Sequence, residues 1–131
     1  DLMWNAGVPA GDARVLLLGW SYKAEVGDPR ETPAEPLAET LIAKGMKVGT
    51  WDPHIDFSEY PENVEVISEI GNAQGYDIAV LVTAHKACLE LDYNELLTQM
   101  RTPILYDGRR VLDLDSLEKS GWQTFAVGKP V

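Results

Sequence analysis

The sequence predicts an α/β fold: a doubly wound, mostly parallel sheet with helices on both faces, three layers in a single domain. Three observations predict it. Val15-Leu16-Leu17-Leu18 and Ile78-Ala79-Val80-Leu81-Val82 are unbroken apolar runs of strand length, the pattern of strands buried on both faces of a parallel sheet. Strand-like segments alternate along the chain with helix-like ones that carry their own caps, which indicates parallel pairing. The chain of 131 residues has the size of one domain and can bury about two thirds of the surface its unfolded form exposes.

Taken in order, Asp1 to Ala6 followed by Gly7 has the character of a helix tail. Residues 1–12 are therefore expected to be the end of a helix and its connection, and residues 13–131 the domain itself. Residues 13–19 form the first strand. Residues 20–31 are mixed and charged, contain Gly27 and Pro29, and read as a long loop of the kind that carries function. Thr32-Pro33-Ala34-Glu35 then joins a threonine N-cap, a proline at the first helical position and a glutamate placed for a capping box. That helix should run to Lys44, with Leu37, Leu41 and Ile42 on its buried face and Gly45 as its left-handed cap. Residues 46–51 make the next strand, broken by Asp52-Pro53-His54. Residues 57–62 are irregular, 64–67 a short extended piece and 68–73 a brief helix. Residues 77–83 form another buried strand. Asp92-Tyr93-Asn94-Glu95 offers a second capping box, with Leu96, Leu97 and Met100 on the apolar face of its helix. Residues 103–106 are a short strand, Asp115-Ser116-Leu117-Glu118 opens a last helix that Gly121 stops, and residues 122–127 close the sheet. The alternation is Rossmann-like.

Composition narrows the function. A formal charge of −10 weighs against a nucleic-acid binder, since phosphate backbones are gripped by clustered Lys and Arg. It leaves room for a local basic pocket built from two or three groups. With one cysteine, Cys88, there is no intrachain disulfide, and no basic stretch followed by an apolar run suggests export, so the cytoplasm is the expected compartment. The apolar runs fall far short of the roughly 20 residues that a membrane helix needs.

Charged residues gather after strands. Gly19-Trp20-Ser21-Tyr22-Lys23 replaces the GxGxxG turn that brings a pyrophosphate to a helix N-terminus, so the usual dinucleotide mode is not expected. Lys23, Asp28 and Arg30 share one loop, where an ammonium and a guanidinium can converge on a phosphate; the pattern alone favours a solvated loop held by an Asp28–Arg30 contact. Arg109, in Asp107-Gly108-Arg109-Arg110, follows a strand, where ligands of open α/β sheets bind, and reads equally as a diphosphate or ribose contact or as a turn arginine. Asp52 stands where a dinucleotide-binding unit places its ribose acceptor, but without the glycine fingerprint a structural turn is the better reading. His54 and His85 each follow a strand without an evident partner set and are read as turn residues. Cys88, near His85 and Lys86, is read as a small buried residue rather than a reactive thiolate.

Gly19-Trp20-Ser21-Tyr22-Lys23, Asp28-Pro29-Arg30-Glu31-Thr32-Pro33, Trp51-Asp52-Pro53 and Tyr106-Asp107-Gly108-Arg109, in that order and at those separations, resemble the C-terminal domain of the UDP-glucose/GDP-mannose dehydrogenase family. The resemblance runs from about Ala13 to Val131, with Asp1 to Ala6 similar to the end of the helix that links to a central domain. It implies a part of an enzyme that oxidises the C6 alcohol of a UDP-sugar to a carboxylate in two hydride transfers to NAD, through a thioester on a cysteine. It also implies that Tyr22, Lys23 and Arg109 contact the UDP-sugar and that Arg30 reaches NAD held by an N-terminal domain. The partners it implies are those N-terminal and central domains and, for the full enzyme, a homo-oligomer. The family's GxGxxG turn and nucleophilic cysteine belong to the domains this chain lacks, and Cys88 does not occupy the nucleophile's motif, so the chain alone is expected to be inactive. Tyr22 stands where many members carry phenylalanine. The alternatives are a free-standing nucleotide-binding or regulatory module and a flavodoxin-like interaction domain; the latter gives no reason for Lys23, Arg30 and Arg109 all to follow strands.

Overall fold

The computed structural model describes residues 13–21, 32, 34–55 and 60–126. Six parallel strands, β1 (Arg14–Leu18), β2 (Lys47–Trp51), β3 (Glu65–Val66), β4 (Ile78–Leu81), β5 (Ile104–Asp107) and β6 (Gln123–Ala126), lie in the order β3-β2-β1-β4-β5-β6. The order reverses between β1 and β4, as in a doubly wound sheet. Leu18 aligns with Trp51 on one side and Leu81 on the other, and Leu81 with Asp107, so the residues that follow these four strands emerge along one edge.

Each apolar run splits its side chains between two layers. Val15 and Leu17 join Val48, Ile78 and Ile104 on one face; Leu16 and Leu18 join Ala79, Leu81 and Leu105 on the other. Helix α1 (Ala34–Ala43) covers the first face. Its fully buried residues are Ala34 and Ala38, while Leu37, Leu41 and Ile42 pack half-buried around them, so small side chains set the closest approach and the larger ones seal its sides. Helices α2 (Lys86–Leu89), α3 (Tyr93–Gln99) and α4 (Leu114–Ser120) cover the second face through Cys88, Tyr93, Leu96 and Leu117, with Trp122 beside them. Among the described residues no helix is long and apolar enough to cross a membrane.

The helix ends follow the caps that the sequence offers, with three adjustments. Thr32 Oγ1 accepts from the Ala34 amide at 3.1 Å, and Asp92 Oδ1 accepts from the amides of Asn94 and Glu95, each at 3.1 Å. At the end of α1 the Gly45 amide donates to the Ile42 carbonyl and the Met46 amide to that of Leu41, a Schellman closure that Gly45 permits at φ +90. The last helix starts at Leu114, ahead of the expected Asp115, because Asp113 is the cap and accepts from the Ser116 amide at 3.2 Å. The helix expected over 68–73 is a single 3-10 turn, Ile70–Asn72: Gln99 Nε2 donates to the carbonyls of Ile70 and Ala73. A one-turn helix, α2, was not anticipated; its four residues are too few to show a period.

The opposite, amino-terminal edge is locked by a buried carboxylate. Asp77 accepts from the Arg14 amide (2.9 Å), from Arg101 through Nε (2.8 Å) and a terminal nitrogen (2.5 Å), and from the Thr102 hydroxyl (2.6 Å). Burial pushes its pKa up, but the hydrogen bonds from Arg101, Thr102 and the Arg14 amide outweigh that and hold it below the ordinary carboxylate value.

Candidate functional site

The carboxyl ends of β1, β2 and β4 are tied together by Asp52, the first residue past β2. Its Oδ2 accepts from the amides of Trp20 (2.7 Å) and Ser21 (2.8 Å) and from the Ser21 hydroxyl (2.7 Å), and lies 2.9 Å from His85 Nε2. Oδ1 accepts from the His54 amide at 2.8 Å. The side chains of Asp52 and His85 are fully buried. Burial raises the Asp52 pKa, but the amides of Trp20, Ser21 and His54 and the Ser21 hydroxyl together hold it below the ordinary value. With the carboxylate ionised, His85 Nε2 carries the proton and donates it to Oδ2.

This corrects the reading of His85 as a turn residue without a partner set. It follows β4, precedes α2 and closes the buried network from the neighbouring strand. Strand order places the ends of β2 and β4 on either side of β1, a neighbourhood invisible in a linear chain. His54 stays in the turn after β2, where the Asp52 carboxylate accepts from its amide and its ring lies tilted against that of His85 at a centroid distance of 4.4 Å.

At the switch point, the backbone just past β1 packs closely on the residues just past β4. Gly19 has φ +95, and a Cβ there would lie 2.6 Å from the Thr83 Cβ. Thr83 Oγ1 donates to the Ser21 carbonyl at 2.6 Å. Asp52, at the ribose-acceptor position, is turned inward onto protein donors. Among the described residues, the acidic group that a dinucleotide's ribose would use is therefore already engaged by protein donors.

Next along the edge, Asp107 organises the turn after β5. Its buried carboxylate accepts from the Arg109 amide (2.9 Å) on Oδ1 and from the amides of Val111 and Leu112 (2.7 Å each) on Oδ2. Gly108 passes so close to β4 that a Cβ would lie 2.6 Å from the Leu81 carbonyl oxygen, to which the Gly108 amide donates. Arg109 is left exposed at the sheet's carboxyl edge, and Arg110 takes φ 55, in the left-handed region. An open cleft of about 390 Å³ beside this turn is lined by Asp107, Asp113 and Asp115 against Arg110, a balance unsuited to a diphosphate.

Against known proteins, this chain matches the model of the UDP-glucose/GDP-mannose dehydrogenase family, UDP binding domain, over residues 16–114. It belongs to that family. It is 30% identical over 120 residues to the UDP-N-acetyl-D-mannosamine dehydrogenase of Methanococcus maripaludis, an alignment covering 88% of this chain and 27% of the relative. With the UDP-glucose 6-dehydrogenase of Rickettsia conorii it shares 29% over 123 residues, 89% of this chain and 28% of the other. Among solved structures, an NDP-N-acetyl-D-galactosaminuronic acid dehydrogenase from Methanosarcina mazei superposes with a TM-score of 0.85 at 24% identity, over 97% of this chain and 27% of that one. The chain thus spans about a quarter of the length of the relatives it matches.

Of the residues singled out in this UDP-binding domain, Arg109 stands at the carboxyl edge with the Asp52 network, whereas Tyr22, Lys23, Asp28 and Arg30 lie outside the described residues, as does the linking helix expected before residue 13. Cys88 is fully buried, its carbonyl accepting from the Tyr93 hydroxyl at 2.7 Å, and the Lys86 ammonium pairs with Glu90 at 3.8 Å. The thiol therefore packs as a small core residue. Ser21 and Thr83 were not picked out from the sequence, and His85 was weighed there without its partner; the one signal they leave is that each closely follows a strand.

Proposed function

We propose that this chain is the C-terminal nucleotide-sugar-binding part of an NAD-dependent UDP-sugar 6-dehydrogenase, in which a UDP-sugar is oxidised to the UDP-uronate with two NAD. The match to the UDP binding domain carries the reading. In it, Tyr22, Lys23 and Arg109 contact the UDP-sugar, and Arg30 reaches NAD held on the N-terminal domain of the same enzyme. Arg109 suits its role: it is exposed, its backbone is held by Asp107, and a guanidinium offers paired donors to a phosphate. The engagement of Asp52 supports the division of labour, since the acidic group at the ribose-acceptor position is held by protein donors. The hydride transfers belong to NAD, and the residues of this chain bind and orient the nucleotide. Buried Cys88 is not the nucleophile, so the domain by itself is inactive, and the N-terminal and central domains and a homo-oligomeric assembly complete the enzyme.

Calorimetric titration of the full-length protein with UDP tests this. Arg109→Ala and Lys23→Ala should each weaken binding by about tenfold, the loss of one charge-assisted contact of roughly 1.4 kcal/mol. Affinity unchanged in both variants would exclude the proposed site.

A further inference from the structure

We infer that Asp52 and His85 are positioning residues for the nucleotide site, setting the direction in which the chain leaves β1 toward Tyr22 and Lys23. The inference rests on the reading that Lys23 contacts the UDP group. Every backbone polar group of Trp20 and Ser21, the two residues before Tyr22, has a fixed partner. Both amides donate to Asp52, the Ser21 carbonyl accepts from the Thr83 hydroxyl, and the Trp20 carbonyl accepts from the Thr32 hydroxyl. Thr32 lies at the far end of the segment that begins at Tyr22, so the segment's entry and exit are tied to one stem. Gly19, in the left-handed region and closely packed on Thr83, fixes the bend below that stem.

Asp52 is the hub. A buried carboxylate is held by its donors together, so breaking one contact leaves it less well satisfied and redistributes the rest. His85 supplies the donor that the β1 backbone does not, and binds the hub to β4. A ligand contact gains affinity when its side chain starts from a fixed place, and a supporting layer of buried hydrogen bonds does this without touching the ligand.

Asp52→Asn puts an amide where the four close approaches to Oδ2 and one to Oδ1 need an anion. The test is a double-mutant cycle in the full-length protein, titrated with UDP, comparing Lys23→Ala, Asp52→Asn and the pair. Leu96→Val, in the core of the opposite layer, serves as a control for lost stability. Asp52→Asn should weaken UDP binding by about tenfold, and Lys23→Ala should then cost less than about twofold more, because a lysine already misplaced has little left to lose. In the Leu96→Val background Lys23→Ala should keep its full effect. Should Asp52→Asn fail to fold, His85→Leu, which spares the backbone donors, should give the same non-additivity at smaller amplitude. Equal losses from Lys23→Ala with and without Asp52, or a wild-type affinity in Asp52→Asn, would overturn the positioning role alone. Lys23→Ala without effect in the wild-type background would instead sink the reading of Lys23, and the inference with it.

Discussion

Replacing Asp107 by asparagine isolates what holds the Arg109 turn. The native carboxylate accepts three amides, one on Oδ1 at 2.9 Å and two on Oδ2 at 2.7 Å, and is fully buried. An asparagine of the same shape has one acceptor oxygen. Facing it toward Val111 and Leu112 keeps two contacts, weakened by the lost charge, and turns the amide NH2 against the Arg109 N–H; the reverse orientation sacrifices two contacts to save one. Hydrogen bonds to a charged group contribute about 1.5–3 kcal/mol each, and the better orientation loses one outright, so Asp107→Asn should destabilise the domain by roughly 2 kcal/mol. For a domain of this size that is a fall in Tm of about 6–8 °C. Thermal and urea unfolding followed by circular dichroism give the number, and amide exchange at Arg109, Val111 and Leu112 locates it: Arg109 should lose protection first. An unchanged Tm with native protection at all three amides would refute the argument that Asp107 builds the turn. The same variant should lower UDP affinity if Arg109 contacts the nucleotide, through its position and not through its charge.

Two further substitutions and a pH scan probe the frame. A Cβ on Gly49 would lie 2.0 Å from the Tyr76 hydroxyl and 2.6 Å from its Cζ, so Gly49→Ala should expel a fully buried ring and cost about 3 kcal/mol, in part recovered by adding Tyr76→Leu; urea midpoints for the single and double variants check this. Asp52 and Asp77 both have lowered native pKa values against 3.8 unfolded, so their contribution is complete above 3.8 and is lost as pH falls through the native values. Stability measured from pH 7 to pH 2 should stay flat with respect to these groups near neutrality and drop on the acid side. Arg101→Ala should move that drop to higher pH, because it removes the strongest hydrogen bonds that hold Asp77 ionised; an unshifted acid transition would count against the assignment.

The sheet was legible because its signals are local. Val15 to Leu18 and Ile78 to Val82 are apolar without alternation, and Thr32, Gly45, Asp92 and Gly121 mark helix ends by their own chemistry. Where reading by pattern failed, the deciding contact was distant: Gln99 satisfies carbonyls around the 3-10 turn from 26 and 29 residues away, and His85 meets Asp52 across 33. The roles of Arg109 and Lys23 came from resemblance, since an arginine after a strand looks alike whether it binds a phosphate or merely turns the chain. The structure adds for Arg109 the cause of its placement, in Asp107 below it.

The engagement of Asp52 bears on how a nucleotide is held. An open α/β sheet normally offers its ligand the crevice between diverging loops, with backbone amides of the β1 turn aimed at phosphate. Here the amides of Trp20 and Ser21 are aimed at Asp52, a resident anion in the place of a bound one. With those two amides engaged, the proposed nucleotide contacts are side chains, and long cationic side chains bind at a cost in conformational freedom unless their roots are fixed. Asp52, holding the amides of Trp20 and Ser21, and Asp107, holding those of Arg109, Val111 and Leu112, are two buried carboxylates that fix the backbone after β1 and after β5. On the proposed reading, UDP gripped by such side chains meets further walls on the other domains, and the nucleotide-sugar site is completed in the assembled enzyme.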